Sequence, residues 1–283
     1  ADADERRRAV GDDLGVSASD RLAAAFQWWE DGDIDRAHRE VDLAIEELEE
    51  AEDFSVRDEV LSAALAQKAI FVSFDDRWGE SLRFVEQAEE VLRRMEEPPP
   101  TTVAKVLNMR ARIAELTGSP SESEEAAFKA LEFVYENLDP GWTHRTDAIV
   151  QWSRVLRHQG LTEDADQAFD EAIAESREFN PRGEPLAKLL NDRAVFLRQT
   201  DRAEEAGRDY REALEILGWK YGNRSPAVAK VRLNYGQSLY TLGQMEQARE
   251  QLETALDAFE TLGDEEFIGR TRAELAPLVE AKE

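Results

Sequence analysis

Histidine and cysteine carry most protein metal and nucleophile chemistry, and this chain of 283 residues has no Cys and three His, at positions 38, 144 and 158. The three are too scattered to form a metal centre, and without Cys there is no thiol nucleophile, disulfide or Cys-ligated zinc. His38 opens the run His38-Arg39-Glu40-Val41-Asp42, which lacks the second His of a zinc-protease helix. Asp31-Gly32-Asp33 lacks the spacing of a calcium loop. His158, beside Arg157 at the end of a helical stretch, reads as a cation complementing the helix dipole. No GxGxxG, GxxxxGK[ST] or GxSxG is present, so neither a phosphate cradle nor a nucleophile elbow has support. These residues predict no catalytic, cofactor-binding or metal-binding group, and hence a protein that is not an enzyme.

Charge narrows the partners. Acidic side chains number 62 against 35 basic ones, a formal net charge of -27. Nucleic acid is excluded as the default partner, because phosphate binding needs clustered Lys and Arg, and an anionic membrane surface is disfavoured for the same reason. No apolar run approaches the ~18 residues of a transmembrane helix, so no membrane insertion is expected. The expected location is cytoplasmic, with the periplasm as the alternative if the N-terminus is processed. Apolar residues make up 42% of the chain, enough for a real core. Arg outnumbers Lys 28 to 7, a bias that fits either a salt-adapted surface or GC-rich coding.

The elements that would hold any site follow from an internal repeat. Gly243, Ala248 and Ala255 form a frame that recurs as Asp201/Ala206/Ala213, Gly160/Ala165/Ala172, Gly118/Ser123/Ala130, Asp76/Ser81/Ala88 and Gly32/Ala37/Ala44. The last members stand 44, 42, 42, 41 and 42 residues apart. Seven residues before each Gly or Asp lies one more small residue: Ala25, Ala69, Ala111, Ser153, Ala194 and Gly236. Small residues at such spacing let two antiparallel helices approach closely, and the Gly or Asp between them supplies a left-handed turn. Larger apolar residues fall at helical spacing around the frame, as in Ile149, Trp152 and Leu156, and two-residue alternation is absent. Trp152 and Trp78 are expected in the core, whereas Trp142 and Trp219 sit near inter-repeat turns and are expected to cover the next repeat.

The frame, with Ala213-Leu-Glu-Ile-Leu-Gly-Trp-Lys-Tyr-Gly222, Ser225-Pro226 and Leu242-Gly243, resembles the tetratricopeptide repeat in its longer, kinesin-light-chain-like form. The resemblance implies an all-α, right-handed α-solenoid of six helix pairs. The repeats would run over about 18–54, 55–98, 99–140, 141–181, 182–222 and 223–262, after a charged tail at 1–17. Residues 263–283 would form a C-terminal capping helix on which Phe267, Ile268, Thr271, Leu275 and Leu278 share a face.

The same resemblance places the first helix of each pair on a concave, partner-binding groove. Its residues there include the cations Lys105, Arg112, Arg154, Arg157, Lys188, Arg198 and Lys230, the amides Asn191 and Asn234, and the acids Glu115, Asp147 and Asp192. Asp192 departs from the carboxylate-clamp subset of the family. At the N-terminal end the groove positions Phe26, Trp29, Ile70 and Phe74 are apolar. The implied function is a scaffold that captures a protein or peptide segment with acidic and apolar side chains. Internal salt bridges, and covering of the apolar positions by residues 1–16 or a second copy, are the alternative use of these groups. A ligand- or peptide-sensing segment of a larger signalling protein, kinase or transcription regulator is the alternative function, and self-association is compatible with both.

Overall fold

The computed structural model describes residues 17–29, 33–50, 57–74, 77–118 and 120–280. Residues 1–16 of the expected tail, and the turn residues Gly32 and Asp76, lie outside them. The described residues form thirteen helices and no strand. They fall into two compact units, Ala1–Leu138 and Asp139–Glu283, divided at the Asp139-Pro140-Gly141 turn. The first unit holds α1 (17–29), α2 (Ile34–Glu49), α3 (Arg57–Phe74), α4 (Trp78–Arg94), α5 (Pro100–Thr117) and α6 (Pro120–Asn137). The second holds α7 (Thr143–His158), α8 (Thr162–Phe179), α9 (Glu184–Gln199), α10 (Ala203–Tyr221), α11 (Pro226–Thr241), α12 (Met245–Leu262) and α13 (Glu265–Glu280).

The small-residue frame is where paired helices touch. All eighteen of its Ala, Ser and Gly positions outside the turns are buried. At Gly236 on α11, an added Cβ would stand 2.6 Å from Leu252 Cγ on α12, so the close approach excludes any larger residue. Where Ser81 replaces the usual Ala, its hydroxyl donates to the Ala69 carbonyl at 2.7 Å, which satisfies the buried polar group. Bulky side chains fill the space around the frame. Phe169 and Phe196 meet at 5.5 Å, and Tyr210 and Tyr235 at 5.2 Å between ring centroids.

Helix ends follow local chemistry. Ser225 caps α11 by accepting from the Val228 N–H, Asp33 caps α2 by accepting from Arg36, and Pro100 and Pro226 open α5 and α11. Gly160 and Gly243 turn at φ 78° and 71°, and Asp201 adopts the same left-handed conformation at φ 60°. Gly118 departs from that expectation. Its φ is -89° and ψ -179°, an extended exit, and Gly is required there because a Cβ would meet the Ala114 carbonyl oxygen at 2.7 Å.

The terminal helix α13 packs on α12 with the face read from the sequence. Ile268, Thr271, Leu275 and Leu278 are buried, and Phe267 stacks on Phe259 at 4.9 Å. Trp78 and Trp152 are half-buried, Trp78 against the core of the first unit. Trp142 and Trp219 do not cover a repeat as expected: Trp142, the N-cap of α7, remains 48% exposed and Trp219, in the last turn of α10, 69%.

Candidate functional site

In the second unit the first helices of successive pairs, α7, α9 and α11, lie side by side. Helix α9 buries Leu186, Leu189, Leu190, Ala194 and Leu197, and this leaves Lys188, Asn191, Asp192 and Arg198 to meet the neighbouring helices. The Lys188 ammonium lies 2.9 Å from Asp147 on α7 and 4.0 Å from Asp192, one turn along its own helix. Asn191 donates to Asp192 at 3.1 Å and accepts from Asn234 on α11 at 3.0 Å. Arg198 donates to Gln237 at 3.3 Å, and Gln237 donates to Glu274 on α13 at 2.9 Å. A polar ladder thus crosses four helices of the unit.

Its electrostatics are uneven. Burial pushes the Asp147 carboxyl up, but Lys188 and His144 more than reverse this and hold it at about 2. Asp147 in turn holds the Lys188 ammonium well above the usual lysine range against the effect of burial. Burial dominates at Asp192 and raises its pKa, although Lys188 and Arg154 pull the other way. One ammonium therefore keeps one neighbouring carboxylate firmly ionised while the second is pushed toward protonation.

Three cations of this face are not matched in this way. Among the described residues no carboxylate lies within ion-pair distance of Arg157, Arg198 or Lys230. The Nε groups of Arg157 and Arg198 are buried and have no hydrogen-bond partner. Arg157 faces the His158 ring nitrogen at 3.4 Å, and the Lys230 ammonium sits 4.9 Å from the Phe267 ring centre. Arg154, Arg157 and Asp192 line a cavity of about 40 Å³, large enough for a water molecule.

The candidate residues of the first unit are placed differently. Trp29 stacks on Phe71 at 4.3 Å, and Ile70 packs against the unit's core, whereas Phe26 is 51% exposed. The side chain of Phe74 lies outside the described residues. The Arg112 guanidinium lies 6.0 Å from the Trp78 ring centre. Lys105 donates to Gln67 at 2.7 Å, and desolvation lowers its pKa to about 8. Sequence reasoning missed Lys68, which is buried between Asp42 at 2.8 Å and His38 Nδ1 at 3.1 Å. Its position immediately before the frame residue Ala69 was the available signal.

Comparison with known proteins bears on the same helices. Residues 185–261, from α9 to α12, match the model of the tetratricopeptide repeat family. Over these residues the chain is similar to tetratricopeptide repeats. The likeness in structure reaches further. BtubC (BKLC) from P. vanneervenii aligns over 81% of this chain and 92% of its own, with a TM-score of 0.60 and 14% identity. Aspartyl phosphate phosphatase F from Bacillus subtilis aligns over 93% and 79%, with a TM-score of 0.59 and 12% identity. A Rap protein in complex with competence and sporulation factor aligns over 87% and 67%, with a TM-score of 0.55 and 15% identity. At such identities the likeness concerns the fold: an all-α solenoid of tetratricopeptide-like helix pairs, the kind on which protein-interaction scaffolds are built. No curated protein sequence matches the chain. No described helix is long and apolar enough to cross a membrane.

Proposed function

We propose that the chain is a non-enzymatic interaction scaffold that captures an acidic partner segment on the α7–α9–α11 face. The observation that carries this reading is the set of three cations, Arg157, Arg198 and Lys230, left without carboxylates among the described residues of a chain of net charge -27. Buried guanidinium N–H groups without acceptors are costly, and an incoming carboxylate would satisfy them. Arg154, Lys188, Asn191 and Asn234 would complete the face. Lys188 and the two amides are held by their neighbours and so are ordered in advance. In the first unit only Phe26, of the apolar candidates with described side chains, is strongly exposed. The phosphatase among the similar structures makes activity a reading to test, and the complex with competence and sporulation factor favours sensing of a bound factor as the second reading.

The test is affinity capture from the source organism's lysate with wild type beside Arg154→Glu/Arg157→Glu, at moderate and high salt. A partner lost in the variant and at high salt supports the face. A partner retained by both moves the site elsewhere and overturns the assignment.

pH gives a second test. Asp192 is pushed toward protonation, so it takes up its proton at a higher pH than an ordinary aspartate and the face becomes more positive as the pH falls. Affinity for an acidic peptide is expected to rise with falling pH more steeply in wild type than in Asp192→Asn, which lacks that titration. Isothermal titration across a pH series checks it, and the same pH dependence in both proteins contradicts the reading.

A further inference from the structure

The turns that join one helix pair to the next carry a second group of exposed aromatic residues on the second unit, away from the polar ladder. Trp142, Phe179, Trp219 and Tyr221 stand at the ends of these turns, and Trp219 is the most exposed at 69%. Trp142 and Trp219 line a cavity of about 610 Å³, whose rim also carries Asn180, Arg182, Glu184 and Lys220. This volume falls in the range of ligand-binding clefts, about 300–1,000 Å³.

The charges of the rim are partly settled. Glu184 Oε2 accepts from Lys220 at 3.0 Å and from the Tyr221 hydroxyl, so its anion is already matched. Arg182 is the exception. Its guanidinium carbon lies 5.2 Å from the Trp219 ring centre, and among the described residues no carboxylate is within ion-pair distance of it. A guanidinium over an aromatic face keeps its charge and its N–H donors, which can pair with a carboxylate. The rim therefore offers one unmatched cation beside two indole surfaces.

We propose that this edge is a second docking site, which takes an extended partner segment whose Asp or Glu side chain adjoins an aromatic or branched aliphatic residue. The carboxylate bonds to Arg182, and the apolar neighbour packs on Trp142 and Trp219 in the cavity. None of these residues belongs to the α7–α9–α11 ladder, so the site goes beyond the scaffold reading and stands apart from it.

The probe is a synthetic octapeptide library with one fixed Glu flanked by randomised aromatic and aliphatic positions, screened against the whole chain. Selected peptides are expected to lose about tenfold or more in affinity with Arg182→Gln or Trp219→Ala, and as much when their Glu becomes Gln. The same peptides should keep their affinity for Arg154→Glu/Arg157→Glu, which separates this site from the ladder. Both edge residues are exposed, and unchanged helicity by circular dichroism verifies that the variants fold. Three results would overturn the proposal: no binder up to about 1 mM peptide, binders indifferent to Arg182→Gln, or a dimer in sedimentation that Trp219→Ala dissolves. The last would assign the edge to a second copy of the chain.

Discussion

Lys105 in the first unit and Lys188 in the second hold the same place in the repeat, six residues before the frame residues Ala111 and Ala194. Their chemistry is opposite. Lys105 meets the Gln67 amide, and desolvation brings its pKa down to about 8. Lys188 meets Asp147 and Asp192, and its ammonium is stabilised beyond the usual range. Lys230, the next member of the series, is exposed and lies over the Phe267 ring. One residue type at one frame position thus has three environments, each set by what the neighbouring helix presents.

The comparison can be broken by removing each ammonium in turn. Lys188→Met leaves two carboxylates facing each other, and a loss of about 2 kcal/mol in urea unfolding is expected once partial solvent screening is allowed for. A neutral outcome would show that the ladder contributes nothing to folding. Lys105→Met is expected to have the other sign, a gain of about 1 kcal/mol at pH 7, because it removes a desolvated charge. The pH dependence of that gain is the sharper check. The folded pKa of Lys105 is lowered to about 8, so wild-type stability should climb as pH rises from 8 toward 10.5 and close the gap to Lys105→Met. Lys188, whose pKa is raised, should add no slope in that window. Asp147 supplies the acid limb. With its folded pKa depressed to about 2, its contribution of about 1 kcal/mol should be intact above pH 4 and vanish as pH falls through 2, read by comparing wild type with Asp147→Asn. Lys230→Met should change stability by less than about 0.5 kcal/mol, since its charge is exposed.

Most of the fold was legible because its cause is local and recurrent. Close helix contact demands a small residue, and the frame repeats that demand in every pair, Gly236 against Leu252 being one instance. Turn conformation was legible at Gly160, Gly243 and Asp201 but not at Gly118, since glycine serves both a left-handed φ and a close approach to a carbonyl. The polar face was legible as a set of residue types and not as a set of pairings. Lys188 and Asp147, Asn234 and Asn191, and Arg198 and Gln237 meet across about forty residues of chain. The repeat period brings such residues together, yet it does not say whether a lysine will find Asp147 or Gln67. Trp219 was misread for a related reason. An aromatic residue near a helix end has the residue type of a core position, and the sequence alone does not say whether its side chain meets the next repeat or solvent, as at Trp219.

The ladder has a kinetic consequence. Its bonds between neighbouring repeats each close a loop of about forty residues, and the Lys105–Gln67 bond of the first unit closes one of similar length. The entropy lost in closing a loop depends on loop length and not on total chain length. A chain of this design that gained another repeat by tandem duplication would meet the same closure barrier at each new joint. It could lengthen without becoming a slower folder.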